Sequence, residues 1–236
     1  MLKPIRLLAA AALATCALFA NAQEGAPKQQ EFAPASGSGR VVVLISGQTG
    51  MPNYVATAQQ LADAGFYTVL VDGNDFWIKD THRALAMLKD VIARAQASAH
   101  ALPGKVGVVG YSLGGGVAIA YAARMPETVA TVVAGYPLTS FIKDPAEYVT
   151  RIKVPIQMFA GTADTYKDCC LIETARKLAD AAGSASPPML TLKEYEGVGH
   201  GFNLPNAPRK DVPAAQDAMK RTIAQLRQDL PADAAK

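Results

Sequence analysis

Six short runs rich in β-branched residues alternate along this chain with five longer amphipathic stretches, and this rhythm restricts the fold more than any other feature of the sequence. The short runs are residues 41–45, 67–71, 105–109, 129–134, 156–160 and 190–195. The longer stretches are 54–64, 81–97, 113–124, 168–182 and 212–228. Strands and helices in alternation build right-handed βαβ units. Strands that are apolar on both faces need helices on both. The predicted fold is therefore α/β, with a mostly parallel sheet of about six strands covered on both sides. Thr81 is placed to cap the second helix, while Gly65 and Gly183 follow the ends of the first and fourth. The stretch 135–155 is too short for a large cap domain, so a site on this fold should be open and modest in size.

The N-terminus has a different character. Lys3 and Arg6 precede an apolar stretch, residues 7–19, and Ala20-Asn21-Ala22 offers a small-residue cleavage site before Gln23, which is the pattern of an export signal. That apolar stretch is shorter than the roughly 20 residues a membrane helix needs, and no later window is long and uncharged enough to be one. The expectation is a periplasmic or secreted protein cut near Ala22, with no membrane span. Cys16, in Leu13-Ala14-Thr15-Cys16, is the weaker alternative of a lipid attachment site. Residues 23–40, rich in Gln, Pro, Ser and Gly without periodicity, read as a flexible lead-in, and 41–236 as a single domain. Taking Lys3 and Arg6 from 23 basic residues leaves 21 against 20 acidic ones, so bulk charge does not attract nucleic acid.

In an open parallel sheet, ligands collect beyond the carboxyl ends of the strands. Gly110-Tyr111-Ser112-Leu113-Gly114 follows one apolar run and opens a helical stretch, the strand, turn and helix setting of a nucleophile elbow. Gly161-Thr162-Ala163-Asp164 follows a second run, and Gly197-Val198-Gly199-His200-Gly201-Phe202 a third. A serine hydroxyl needs a base, and imidazole titrates near neutrality, so His200 is the candidate base and Asp164 the group that orients it. The rival acid Asp168 reads as the cap of the following helix. The rival histidines, His82 and His100, sit at solvent-facing helix ends. An oxyanion would find the N–H of Leu113 at a helix start and a second donor in Ser46-Gly47-Gln48-Thr49-Gly50. Gln48 is favoured there and Thr49 is the alternative. Thr49, Tyr111, Trp77 and Phe202 are candidate substrate-pocket residues. Cys169 and Cys170 are adjacent, and two packed thiols are the expected state, because a bond between neighbours closes a small strained ring; the vicinal disulfide is the alternative.

The set G-Y-S-L-G, G-T-A-D and Y-E-G-V-G-H-G-F resembles the dienelactone hydrolase family of the α/β-hydrolase superfamily, over about residues 41–228. The resemblance implies a compact hydrolase of small esters or lactones, without metal or organic cofactor. Three departures separate the chain from dienelactone hydrolases proper. Ser112 stands where they carry cysteine, and the first strand-helix loop lacks their glutamate. The arginine that binds the dienelactone carboxylate has no counterpart in Asn203-Leu204-Pro205. The expectation is a serine hydrolase acting on a small carboxylic ester, lactone or thioester. Acyl transfer, to peroxide for example, needs the same triad, and the fold alone also permits a non-catalytic binding protein.

Overall fold

Each apolar run forms a strand whose alternate side chains meet helices on opposite faces of one sheet. The computed structural model of the chain describes residues 26–183 and 187–231; the expected export signal and Cys16 lie outside the described residues. In chain order the elements are β1 (Gln29–Phe32), β2 (Gly39–Ile45), α1 (Val55–Asp63), β3 (Tyr67–Val71), α2 (Thr81–Gln96), β4 (Ala101–Tyr111) and α3 (Leu113–Ala120). There follow β5 (Val129–Gly135), α4 (Pro145–Val149), β6 (Ile156–Gly161), α5 (Ile172–Ala182), β7 (Leu190–Tyr195) and α6 (Val212–Asp229). The sheet order is β1-β3-β2-β4-β5-β6-β7, with every pairing parallel except β1 on β3. Among the described residues no helix is long and apolar enough to cross a membrane.

Period-two alternation along β2 shows how the layers are built. Val41, Val43 and Ile45 pack with Leu88 and Ile92 of α2, Val117 of α3 and Leu178 of α5. Val42 and Leu44 face the opposite cluster, with Leu61 of α1 and Leu226 of α6. At Gly107 of β4 an added Cβ would lie 2.5 Å from a Leu226 methyl, so the missing side chain is what lets α6 lie close on the sheet.

Four readings change. The sheet has seven strands because part of the supposed lead-in, Gln29–Phe32, is an edge strand: Gln29 pairs with Val71 and Phe32 with Thr68. Backbone pairing and the Tyr67 hydroxyl, which donates to Glu31 at 2.6 Å, hold this mostly polar segment, whose one apolar side chain, Phe32, packs on the cluster of Val42 and Leu44. Asp80, not Thr81, caps α2, accepting from the Arg83 N–H at 2.9 Å. The third helix stops at Ala120 and resumes as one 3-10 turn over Ala122–Arg124. The fifth begins at Ile172 and not at 168; Lys167 and Asp168 have φ of 49° and 50°, which breaks any continuous helix there, and Asp168 does not cap it. The stretch read as too short for a large cap domain carries only the short α4, capped by Asp144. Gly65 takes φ 101° after α1, whereas Gly183 keeps right-handed geometry.

Burial, and then Glu31, push the Tyr67 hydroxyl from its ordinary 10.0 up to about 12. The folded chain thus holds that proton more tightly than the unfolded one. The stabilisation is complete below pH 10 and is lost as pH rises toward about 12. Urea unfolding across this range should show stability falling, and Tyr67→Phe should make the fall shallower.

Candidate active site

The turn between β4 and α3 holds Ser112 at φ 52°, a conformation that costs a residue with a side chain roughly 1–3 kcal/mol. Close packing enforces it. A Cβ on Gly110 would stand 2.3 Å from the Gly114 carbonyl oxygen, and one on Gly114 would stand 2.3 Å from that of Ile45, so strand and helix meet where no side chain fits. Ser112 itself is buried, with its backbone N–H bonded to the Gly135 carbonyl and its carbonyl accepting from Leu138.

Asp164 and His200 reach this serine from the loops after β6 and β7. The Ser112 Oγ lies 2.9 Å from His200 Nε2, and His200 Nδ1 lies 2.7 Å from Asp164 Oδ2. The carboxylate accepts the Nδ1 proton, which selects the tautomer whose Nε2 lone pair accepts the serine hydroxyl. The other carboxylate oxygen accepts from the Tyr166 N–H at 3.0 Å, and the Asp164 side chain is wholly buried, so its orientation is set from both ends. Two tyrosines confine the imidazole. Tyr166 stacks on its face, with centroids 4.6 Å apart and planes 12° apart, and Tyr136 meets it edge-on at 4.8 Å. Burial, above all, raises the pKa of the Tyr136 hydroxyl well above its usual range; it stays protonated and donates to Asn203 Oδ1.

The loop after β2 closes the other side. A Cβ on Gly47 would come within 2.4 Å of the Tyr54 hydroxyl and 3.2 Å of the Ser112 Cβ, so this backbone passes directly over the serine. Gln48, the next residue, is held through its carbonyl by the Asn74 amide at 3.3 Å and through its side chain by Lys167 Nζ at 3.4 Å. Leu113 begins α3, so its N–H has no partner within the helix. Thr49 is exposed; its carbonyl accepts from Asn53.

The remaining pocket candidates do not line the triad. Tyr111 and Phe202 are 3% and 1% exposed, packed in the core beneath it: Tyr111 lies between Tyr54 and Tyr136, and Phe202 lies between Tyr136 and Tyr195. Trp77 packs edge-on against Phe141 and borders a cleft of 1310 Å³ between α2 and α4, which none of the three triad residues lines. Cys169 and Cys170 form the vicinal disulfide, not the two thiols expected. His82 and His100 are exposed, the latter with Nδ1 2.6 Å from the Gly37 carbonyl.

Comparison with known proteins places this arrangement. The model of the Dienelactone hydrolase family matches residues 73–230, which include all three triad positions. The chain belongs to the dienelactone hydrolase family. It is similar to Carboxymethylenebutenolidase 1 of Cupriavidus pinatubonensis, 29% identical over 214 residues, covering 80% of this chain and 86% of that one. It is also 33% identical over 126 residues to Protein usf of Aquifex pyrophilus, covering 52% of this chain; here the chain spans about half the length of its relative. Among solved structures, esterase 2 of Thermogutta terrifontis, phosphorylated by paraoxon, shares the fold with a TM-score of 0.70 at 19% identity, covering 89% of this chain and 91% of that one. As a member of the dienelactone hydrolase family, the chain is a carboxylic-ester hydrolase.

This member of the dienelactone hydrolase family carries two site residues that sequence reasoning did not single out, Tyr136 and Tyr166. Tyr136 follows directly on β5, the same post-strand position that pointed to Asp164 and His200, so its place was readable. The stacking of Tyr166 on His200 depends on how two loops meet and left no signal. The proton between His200 Nδ1 and the Asp164 carboxylate should give a strongly deshielded proton NMR resonance. It should disappear in Asp164→Ala and persist in Ser112→Ala.

Proposed function

We propose that this ester hydrolase is an exported serine enzyme that cleaves a small carboxylic ester, lactone or thioester through an acyl-Ser112 intermediate. The observation that carries the reading is the continuous hydrogen-bonded path from the Ser112 hydroxyl through His200 to the buried Asp164 carboxylate. As the Ser112 Oγ attacks the substrate carbonyl carbon, His200 Nε2 takes its proton. Asp164 stabilises the imidazolium through the Nδ1 bond. The tetrahedral oxyanion is received by the N–H of Leu113 at the start of α3 and by that of Gln48 in the loop over the serine; losing one such donor costs roughly 2.7–4 kcal/mol. His200 then protonates the leaving oxygen or sulfur, and the acyl group remains on Ser112. Water then attacks the acyl carbon as His200 Nε2 takes its proton, and the bond to Ser112 Oγ breaks as His200 returns that proton to the serine, releasing the acid. The stretch between β5 and β6 is too short for a large cap domain, which fits small substrates. Residues 1–22 act as the export signal, and the exported form should begin at Gln23 when its N-terminus is sequenced.

A fluorophosphonate probe should attach to Ser112 in the folded chain, as read by peptide mapping. No adduct there would refute the acyl-serine reading. Ser112→Ala and His200→Ala should each lower turnover of a short-chain ester by about four to six orders of magnitude. The double variant should be no slower than either single one, since the two residues act as a unit. Losses that add would show that they do not.

A further inference from the structure

The disulfide-bonded pair stands beside the histidine. One ligand atom from each of Cys169, Cys170 and His200 lies within 4.8 Å of the other two. Backbone contacts, independent of the sulfur–sulfur bond, fix the pair there: the Cys169 carbonyl accepts from the Thr139 N–H at 2.8 Å and the Ser140 N–H at 3.0 Å, and its own N–H donates to the Tyr166 carbonyl at 3.0 Å. Cys170 is buried, and the imidazole side chain is 15% exposed. Two sulfurs and one imidazole nitrogen in this proximity are a thiophilic donor set once the sulfurs are thiolates.

We propose that, after reduction of the Cys169–Cys170 bond by a small dithiol, the two sulfurs and His200 form a site for a thiophilic divalent cation of the zinc or cadmium kind, and that filling it stops hydrolysis. The chemistry balances in two steps. The dithiol gives two electrons and two protons to the Sγ–Sγ bond, which breaks into two thiols while the dithiol closes its own disulfide. The cation then displaces the two thiol protons into water and forms two metal–sulfur bonds and one metal–nitrogen bond, and a water completes the tetrahedron. Metal–sulfur bonds of about 2.3 Å and a metal–nitrogen bond of about 2.0 Å set donors roughly 3.4–3.8 Å apart, so the two sulfurs move apart once their bond is broken while the imidazole nitrogen closes on them from within 4.8 Å. Either ring nitrogen serves the inhibition. A bond to Nε2 takes the lone pair that accepts from Ser112, and a bond to Nδ1 displaces Asp164. The inhibitory half rests on the proposed serine mechanism, whereas the binding half does not.

The test uses the full chain, reduced with a dithiol and freed of it without air, then titrated with Cd2+. The expected result is one Cd2+ per chain with an ultraviolet thiolate-to-cadmium charge-transfer band, and a loss of ester turnover of at least about tenfold that a chelator reverses. The unreduced chain should show neither. Cys169→Ser/Cys170→Ser should lack the band and keep its turnover at the same Cd2+ concentration. His200→Ala should keep both thiols yet bind Cd2+ about tenfold or more weakly. No band in the reduced chain, or equal affinity in His200→Ala, overturns the site. Full turnover in the Cd2+-loaded chain overturns the inhibition. Turnover that survives Ser112→Ala while Cd2+ binding still needs His200 refutes the serine mechanism and leaves the metal site standing.

Discussion

The approach of α3 to the end of β4 is the contact on which the rest of the molecule depends. At Gly110 and Gly114 the backbone of the helix start touches that of the strand and of its neighbour β2 at distances no Cβ tolerates. The turn between them has one residue to spare, and Ser112 takes it at a positive φ. Burial of β2 and β4 between two helical layers, with Gly107 admitting Leu226, supplies the stability that holds this local strain in place. The serine keeps its place against the imidazole because the sheet behind it is not free to relax.

Around that fixed point, the site is assembled from loops that share an edge of the sheet but no sequence neighbourhood. β6 brings Asp164 and β7 brings His200, while β5, lying between β4 and β6, brings Tyr136 beneath the imidazole. The 164–170 segment does several things at once. It carries the carboxylate, turns through two residues at positive φ, lays Tyr166 on the imidazole and sets the disulfide beside it. Rigidity here comes from backbone hydrogen bonds, not from a helix. That explains why Asp168, which has the side chain of a helix cap, is not used as one.

The architecture was legible wherever a residue's surroundings follow from its own neighbours. Apolar alternation located six strands, and position beyond a strand's end located Ser112, Asp164 and His200. Gln29–Phe32 escaped because its strand character comes from pairing with β3, and four mostly polar residues carry no period of their own. Tyr111 was misplaced for a reason the sequence did contain: two residues after Val109 on the same strand, it must share that residue's core-facing side. Trp77, Cys169 and Tyr166 were beyond reach in a different sense, since their environments are made by loops folding over one another.

The edge strand at Gln29–Phe32 also bears on how the molecule meets copies of itself. An open sheet ends in unpaired backbone donors and acceptors, an invitation to further strands. Here the strand on one flank is only four residues long, runs against its neighbour and spends Glu31 on the Tyr67 hydroxyl. On the opposite flank β7 sets Lys193 and Glu194 in its middle, the latter clasped by Arg176 from α5. Short length at one border and charged side chains at both work against edge-to-edge strand pairing between neighbouring molecules.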